Sequence, residues 1–448
     1  MIEPGPAARA ARGDWPPGPR GWLPGGALPF VRRHPEVFLD LARRFGDVVY
    51  FRVGRQHVFL LSRMEDIDQL LLQRQSDFVK GWGPQSGRSS MGEGLTALEG
   101  DLHRRERRRL QPLFSSERNL GRAPAMTAEA ERLAGGWRDG EVLNIHREMQ
   151  RLTLAVIGRT LLGCDTLSDE IYGLASDTIA HRFLPFMFPW PAALRRLDVA
   201  GQLRLRRVSR RLDAAVGRVI EARRGAPGED LVAWLSVGAP EGDGATDRYL
   251  RDHFVTFLLA GHETTALALT WSLHLLAQHP EAAATVEAEV DRALAGSATE
   301  DALPRLDYTR RVVEETLRLY PPLWMLGRRA LRDVEIAGYR VPVGSLVLAS
   351  PYIMHRDPRH FAEPLRFDPD RWDGLEGGRS RPLAYFPFGL GARRCIGEQF
   401  ALTEAVIALA TITRRWRLRP LSRAPVKVEP LLTLRPRGGL PMQVTARR

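Results

Sequence analysis

Apolar positions recur at helical spacing along most of the chain. Over residues 398–416 they fall at Phe400, Leu402, Val406, Leu409 and Ile412, one face of a helix. The longest such run covers 247–279. Within it, 257–277 has the length of a membrane span, but His262, Glu263 and His274 interrupt it. It therefore reads as a buried helix with function inside it. The same period predicts helices over 34–45, 64–73, 100–114, most of 126–164, 198–224 and 308–320. Residues 47–53 and 57–61 alternate or are β-branched and aromatic around Gly54-Arg55, which predicts a hairpin. Short strands are expected at 334–336, 339–341 and 346–348, turning at Gly338 and Gly344, and a final pair around the glycine turn in 433–441.

The periodicity lapses in a few places. Residues 77–98 hold five glycines and no clear period, and an irregular stretch of that length is usually functional. Residues 184–191 set three prolines among Leu, Phe, Met and Trp, which suits either a packed loop or, the favoured reading, an apolar lip for substrate entry and peripheral membrane contact. Residues 225–246 are glycine-rich around a short apolar piece at 231–235. Residues 1–15, rich in Ala, Arg, Gly and Pro, are expected to be disordered, and Trp15-Pro16-Pro17-Gly18-Pro19 opens a stiff extended segment. No internal repeat is apparent. The expected fold class is mainly α with a minor β region, in one domain over 16–448.

Two cysteines, Cys164 and Cys395, are too few for a disulfide framework and suit a reducing cytoplasm. The first thirty residues lack the continuous apolar core of a secretory signal, and no transmembrane anchor is expected. The net charge is +12. The arginines are scattered, whereas a nucleic-acid binder would gather them in a stripe with aromatics between, so nucleic acid is not the expected partner. A basic face for an acidic redox protein and a generally Arg-rich surface both remain open.

The chemistry centres on Phe388-Gly389-Leu390-Gly391-Ala392-Arg393-Arg394-Cys395-Ile396-Gly397, where a glycine-rich loop meets the helix starting at Glu398. A helix N-terminus favours a thiolate at Cys395, and the glycines admit something flat beside the sulfur. Arg393 and Arg394 add positive charge for acidic groups of the same ligand. An isolated cysteine is by default an ordinary core residue. Here, however, the full spacing Phe-x-x-Gly-x-Arg-x-Cys-x-Gly is present. It resembles the haem-binding loop of the cytochrome P450 family.

The resemblance extends over nearly the whole chain after residue 15. It implies a single-domain P450-like fold around haem b (iron protoporphyrin IX), with Cys395 as the thiolate ligand of iron and Phe388 and Arg393 beside the ring. His103 and Arg107, four apart on the basic helix, match a propionate-binding pair, and Arg328, or its neighbour Arg329, matches another propionate ligand. Ala260-Gly261-His262-Glu263-Thr264-Thr265 matches the helix that crosses the oxygen-binding face. By that match Thr264 hydrogen-bonds dioxygen and Glu263 relays protons. Glu315, Arg318 and Arg371 match a buried structural cluster. The implied reaction inserts one oxygen atom from O2 into a lipophilic small molecule. Electrons come from a ferredoxin or flavodoxin with its reductase, docking near Arg104, Arg105, Arg108 and Arg394. Pro321-Pro322-Leu323-Trp324-Met325-Leu326-Gly327-Arg328-Arg329 looks most like bacterial members that hydroxylate carotenoids or terpenoids. Two other classes stay open: a haem-thiolate enzyme that uses peroxide or isomerises without O2, and a non-catalytic haem or basic binding protein.

Overall fold

The structure, a computed structural model, describes residues 15–19, 34–81, 92–164, 171, 174, 199–225, 228–237, 239, 244–296, 300–375, 381–422 and 424–447. The expectations for 1–14, 20–25, 82–91 and 184–191 lie outside the described residues.

Among these residues the chain runs α1 (His34–Phe45), β1 (Val48–Val53), β2 (Gln56–Leu61), α2 (Met64–Asp68), β3 (Phe78–Lys80), α3 (Gly100–Leu110), α4 (Ser116–Gly135), β4 (Val142–Asn144), α5 (Ile145–Thr160), α6 (Val199–Arg223), α7 (Leu231–Ser236), α8 (Ala245–Gln278), α9 (Pro280–Ala293) and α10 (Asp307–Leu319). There follow β5 (Leu326–Ala330), β6 (Val334–Ile336), β7 (Tyr339–Val341), β8 (Leu346–Ala349), α11 (Pro351–Met354), α12 (Glu398–Arg415), β9 (Trp416–Pro420), β10 (Val428–Pro430), β11 (Leu434–Pro436) and β12 (Pro441–Ala446). The fold is mainly α with a minor β part, as the periodicity predicted.

Helix α8 is the axis. Leu258, Ala266, Leu267, Leu269 and Trp271 are fully buried on it, so it is apolar around most of its girth, as a helix enclosed by others must be. Helices α5, α10 and α12 pack against it. Gly261 lets α5 approach: a Cβ there would lie 2.2 Å from Ile157 Cδ1. Thr264 Oγ1 donates back to the Ala260 carbonyl at 2.8 Å, which satisfies the hydroxyl within the helix. Phe114 ties this layer to the cysteine loop. It stacks on Phe257 of α8 at 5.5 Å, meets Phe400 of α12 at 6.4 Å, and lies 3.7 Å from where a Cβ of Gly397 would be.

The main sheet has the order β1-β2-β8-β5-β3. The hairpin β1–β2 forms as expected, with Val53 opposite Gln56. Five strands were not legible in the periodicity, β9 (Trp416–Pro420) and β10 (Val428–Pro430) among them. β5 carries Arg328 and Arg329 and reads as too polar, β3 is three residues long, and β4 interrupts the helical stretch 126–164. The C-terminal expectation needs correction. The turn at Gly438 and Gly439 (φ +76° and +88°) does not close a hairpin. β11 pairs with β10, and β12 with β4 and β9, so the turn passes the chain from one sheet to another.

Glu315, Arg318 and Arg371 do meet. Glu315 accepts from Arg318 Nε and Nη2 (both 2.8 Å), Arg371 Nε (3.1 Å), Trp372 Nε1 (3.0 Å) and the Asp368 N–H (2.9 Å). Arg318 also donates to the carbonyls of His355, Pro364 and Arg366. That frame carries the chain toward Phe386 and the cysteine loop.

Candidate active site

The loop is assembled by main-chain hydrogen bonds in series. His355 Nε2 accepts from the Phe386 N–H at 3.1 Å, and the Phe386 carbonyl accepts from Gly389 at 3.0 Å. The half-buried Phe388 presents its carbonyl to the Cys395 N–H at 2.8 Å. Gly389 (φ +71°) and Gly391 (φ +72°) take the left-handed conformation that a side chain disfavours. At Gly391 a Cβ would also lie 2.2 Å from the Leu71 carbonyl oxygen. The loop thus turns tightly against the helical turn Gln69–Gln73 that follows α2 and delivers Cys395 two residues before the N-cap of α12.

Cys395 keeps accessible surface, yet the protein around it desolvates the sulfur. Burial pushes the thiol up to about 11, against the Gly397 N–H, Arg107 and Arg394, which favour the thiolate. Desolvation is the larger influence on the sulfur, and the helix N-terminus acts against it through the Gly397 N–H. Such a sulfur is a poor free nucleophile, and loses its proton when a metal cation binds it.

Beside the loop lies a concentration of cations. His103 is buried, and its ring is pushed down to about 4 by burial and then by Lys80, Arg393, Arg107 and Arg328. Arg328 is pushed down to about 10 by burial and by Arg393. Arg393 pairs with Glu99, and Arg107 Nη1 donates to the Arg394 carbonyl at 2.6 Å. Lys80 stands directly opposite Arg328 across the β3–β5 ladder, a like-charge pair that destabilises a sheet unless an anion lies between. Glu99, the partner of Arg393, also accepts from the Lys80 main-chain N–H at 2.7 Å, while the Lys80 ammonium donates to the Leu95 and Leu98 carbonyls. So His103, Arg107, Arg328 and Arg393 share one electrostatic neighbourhood with Cys395, which is felt at Arg107. Lys80 was missed because nothing in 77–98 marks it. Only the strand register brings it to Arg328.

On α8, Ala260 is exposed and Thr264 half-exposed within the packed layer, while Glu263 is turned into the protein. Glu263 Oε1 lies 2.8 Å from Arg435 Nε, with the N–H not aimed at it, and Oε2 accepts from Gln150 Nε2 at 2.7 Å. Burial pushes this carboxyl up, but Arg435, His262, His146 and Gln150 together bring it below the ordinary value. It is an ionised group anchored to β11 and α5. Arg435 and Gln150 carry no motif and were not legible in the sequence.

The family model described as Cytochrome P450 matches residues 16–442. The chain belongs to the cytochrome P450 family. Among its relatives, cyclooctat-9-en-7-ol 5-monooxygenase of Streptomyces melanosporofaciens is 37% identical, over 94% of this chain and 95% of its own. Pentalenene oxygenase of Streptomyces avermitilis is 34% identical, over 94% and 96%. The crystal structure of the cytochrome P450DA heme domain superposes with a TM-score of 0.82 at 28% identity, covering 96% of this chain and 98% of that one. This P450 is thus a haem-dependent monooxygenase, an oxidoreductase acting on a lipophilic substrate with O2 and a redox partner. No described helix is long and apolar enough to cross a membrane.

Proposed function

We propose that this P450 hydroxylates a terpenoid, holding haem b through Cys395 and placing the two propionates among His103, Arg107, Arg328 and Arg393. The observation that carries the reading is the charge count beside the cysteine. Lys80, Arg107, Arg328 and Arg393 all act on His103, while Glu99 pairs with Arg393 and attracts Arg328, in a desolvated setting where uncompensated charge is costly. A dianionic cofactor edge balances them. A neutral His103 offers that edge a hydrogen bond, and Phe388 packs beside the loop. Bound haem supplies the activation of O2, with the sulfur feeding it electron density.

The protein's own part is positioning and protons. Thr264, on the accessible face of α8, is the hydroxyl proposed to pass a proton on, and to do so it must turn from the Ala260 carbonyl to which it donates. Glu263 is the relay, and because it rests on Arg435 it must leave that ion pair to reach Thr264. The substrate class is supported by the relatives, whose names specify a cyclooctatin-type alcohol and pentalenene. A ferredoxin or flavodoxin with its reductase is the proposed electron source. Arg105 and Arg108 are exposed on α3 for it; Arg104, also exposed, pairs with Asp101, and Arg394 is bound to Glu398. A cytoplasmic setting suits a chain with only two cysteines.

The test is the absorbance of the reduced, carbon-monoxide-bound protein, and of Cys395→Ser after hemin reconstitution. A thiolate-type spectrum that the serine variant loses is expected. Colourless protein after reconstitution, or an unchanged spectrum in the variant, would end the reading. Titration with terpenoids, followed by the shift in the haem band, then tests the substrate class.

A further inference from the structure

Helix α8 sets Asp252, Thr256, Ala260 and Thr264 four residues apart, on one face. Ala260 and Thr264 are accessible, but Asp252 and Thr256 are covered. The loop 92–98 covers them. The Glu93 N–H donates to Asp252 Oδ2 at 2.7 Å. A Cβ on Gly92 would fall 1.9 Å from Asp252 Oδ1, and one on Gly94 2.0 Å from Thr256 Oγ1 and 2.5 Å from the Asp252 carbonyl oxygen. The sequence Gly92-Glu93-Gly94 is therefore what lets main chain lie directly on the helix. Beyond it the loop buries Leu95, Ala97 and Leu98, and Lys80 Nζ holds the carbonyls of Leu95 (3.1 Å) and Leu98 (2.9 Å). So the loop is fastened at two points, to α8 by Asp252 and to the cation group by Lys80. The second Asp252 oxygen accepts from Arg251 Nη1 at 2.7 Å, and Arg251 Nε donates to Asp213 Oδ1 of α6 at 2.9 Å.

We propose that Asp252 is a specificity-determining positioning residue: it fixes the loop 92–98 as a wall of the substrate cavity beside Ala260 and Thr264, and links that wall to α6 through Arg251. The inference rests on reading that cavity as the substrate site. The physical logic is that a buried carboxylate with one main-chain donor and one guanidinium has no slack. Removing it strands the Glu93 amide and frees the wall to shift. A wall that shifts discriminates poorly, because each methylene excluded or admitted by an apolar pocket is worth about tenfold or more in selectivity.

The experiment uses holoprotein of full haem content, as Asp252→Ala, Asp252→Asn and Arg251→Gln. Amide hydrogen exchange at 93–98 is read first, without turnover. Asp252→Ala is expected to exchange there about tenfold faster or more, and Asp252→Asn, which keeps an acceptor for Glu93, less so. The second reading is the haem-band shift with a ladder of terpenoid alcohols of increasing size. The parent should discriminate between neighbouring sizes, Asp252→Ala should lose about tenfold of that ratio, and Arg251→Gln should fall between. Unchanged exchange in Asp252→Ala overturns the fastening. Faster exchange with an unchanged ladder overturns the role in specificity. Failure of the underlying reading looks different: the parent itself then shifts with no member of the ladder, and the specificity role falls with it.

Discussion

Replacing Glu315 by glutamine keeps the side chain's shape and removes its charge. In the native protein its two oxygens accept five hydrogen bonds, from Arg318, Arg371, Trp372 and the Asp368 main chain. Glu315 and Arg318 are both fully buried. An amide offers one acceptor oxygen and turns an NH2 toward groups that can only donate. Breaking a buried ion pair from one side costs about 3–5 kcal/mol, because the remaining guanidinium stays buried and uncompensated. A neutral donor left unpaired, such as Trp372 Nε1, adds about 1–3 kcal/mol. Against a total stability of about 5–15 kcal/mol, Glu315→Gln should unfold most of the protein or leave it marginal. Arg371→Ala should cost less. Arg371 is slightly exposed, gives Glu315 one bond at 3.1 Å, and otherwise donates to the Ala362 carbonyl at 3.2 Å. Urea unfolding followed by tryptophan fluorescence, with haem content measured alongside, ranks the two. Because Arg318 holds the segment that leads to the cysteine loop, haem loss should track the loss of stability. A Glu315→Gln protein with the parent's urea midpoint and full haem would refute the reasoning, as would an Arg371→Ala protein weaker than Glu315→Gln.

Three further outcomes are expected. His355 is buried and pushed down to about 3, chiefly by burial; its Nδ1 lies 3.0 Å from the Arg318 carbonyl and its Nε2 accepts from Phe386. The fold thus binds the neutral ring, so its contribution is complete above the unfolded value of about 6.5 and declines as pH falls toward 3, by about 1.4 kcal/mol per unit. Urea midpoints between pH 7 and 5 should fall more steeply in the parent than in His355→Gln. Arg435→Gln should leave Glu263 buried without its closest cation, destabilise the fold by about 3–5 kcal/mol, and raise the Glu263 pKa. A protonated-carboxyl infrared band absent from the parent, and absent again in Glu263→Gln/Arg435→Gln, would report it. Gly391→Ala should lose haem, since its Cβ would meet the Leu71 main chain in a left-handed conformation costing about 1–2 kcal/mol by itself. Haem content equal to the parent's would contradict this.

What could be seen in advance was local. Glu315 and Arg318 are three apart on one helix, and the cysteine loop spells out its spacing within ten residues. The helical period found α8 and α12 because each buries a continuous face, and a periodic pattern records burial wherever it is continuous. β5 escaped it, because its arginines are tolerated only where they gather around a shared site. The C-terminal glycine turn was seen, but not which strands it joins, since a turn sets direction and leaves partners open.

The sequence by itself determined most of the helical scaffold, though not α9, together with the cysteine loop and the family, because these rest on neighbours along the chain and on spacings of a few residues. Tertiary structure alone decided that Lys80 stands opposite Arg328, that Arg435 anchors Glu263, that Asp252 fastens the loop 92–98, and that Cys395 is desolvated. Each of these joins segments far apart in sequence, or depends on how much water the fold excludes. Charge pairing and desolvation act through space, so no local pattern of residues encodes them.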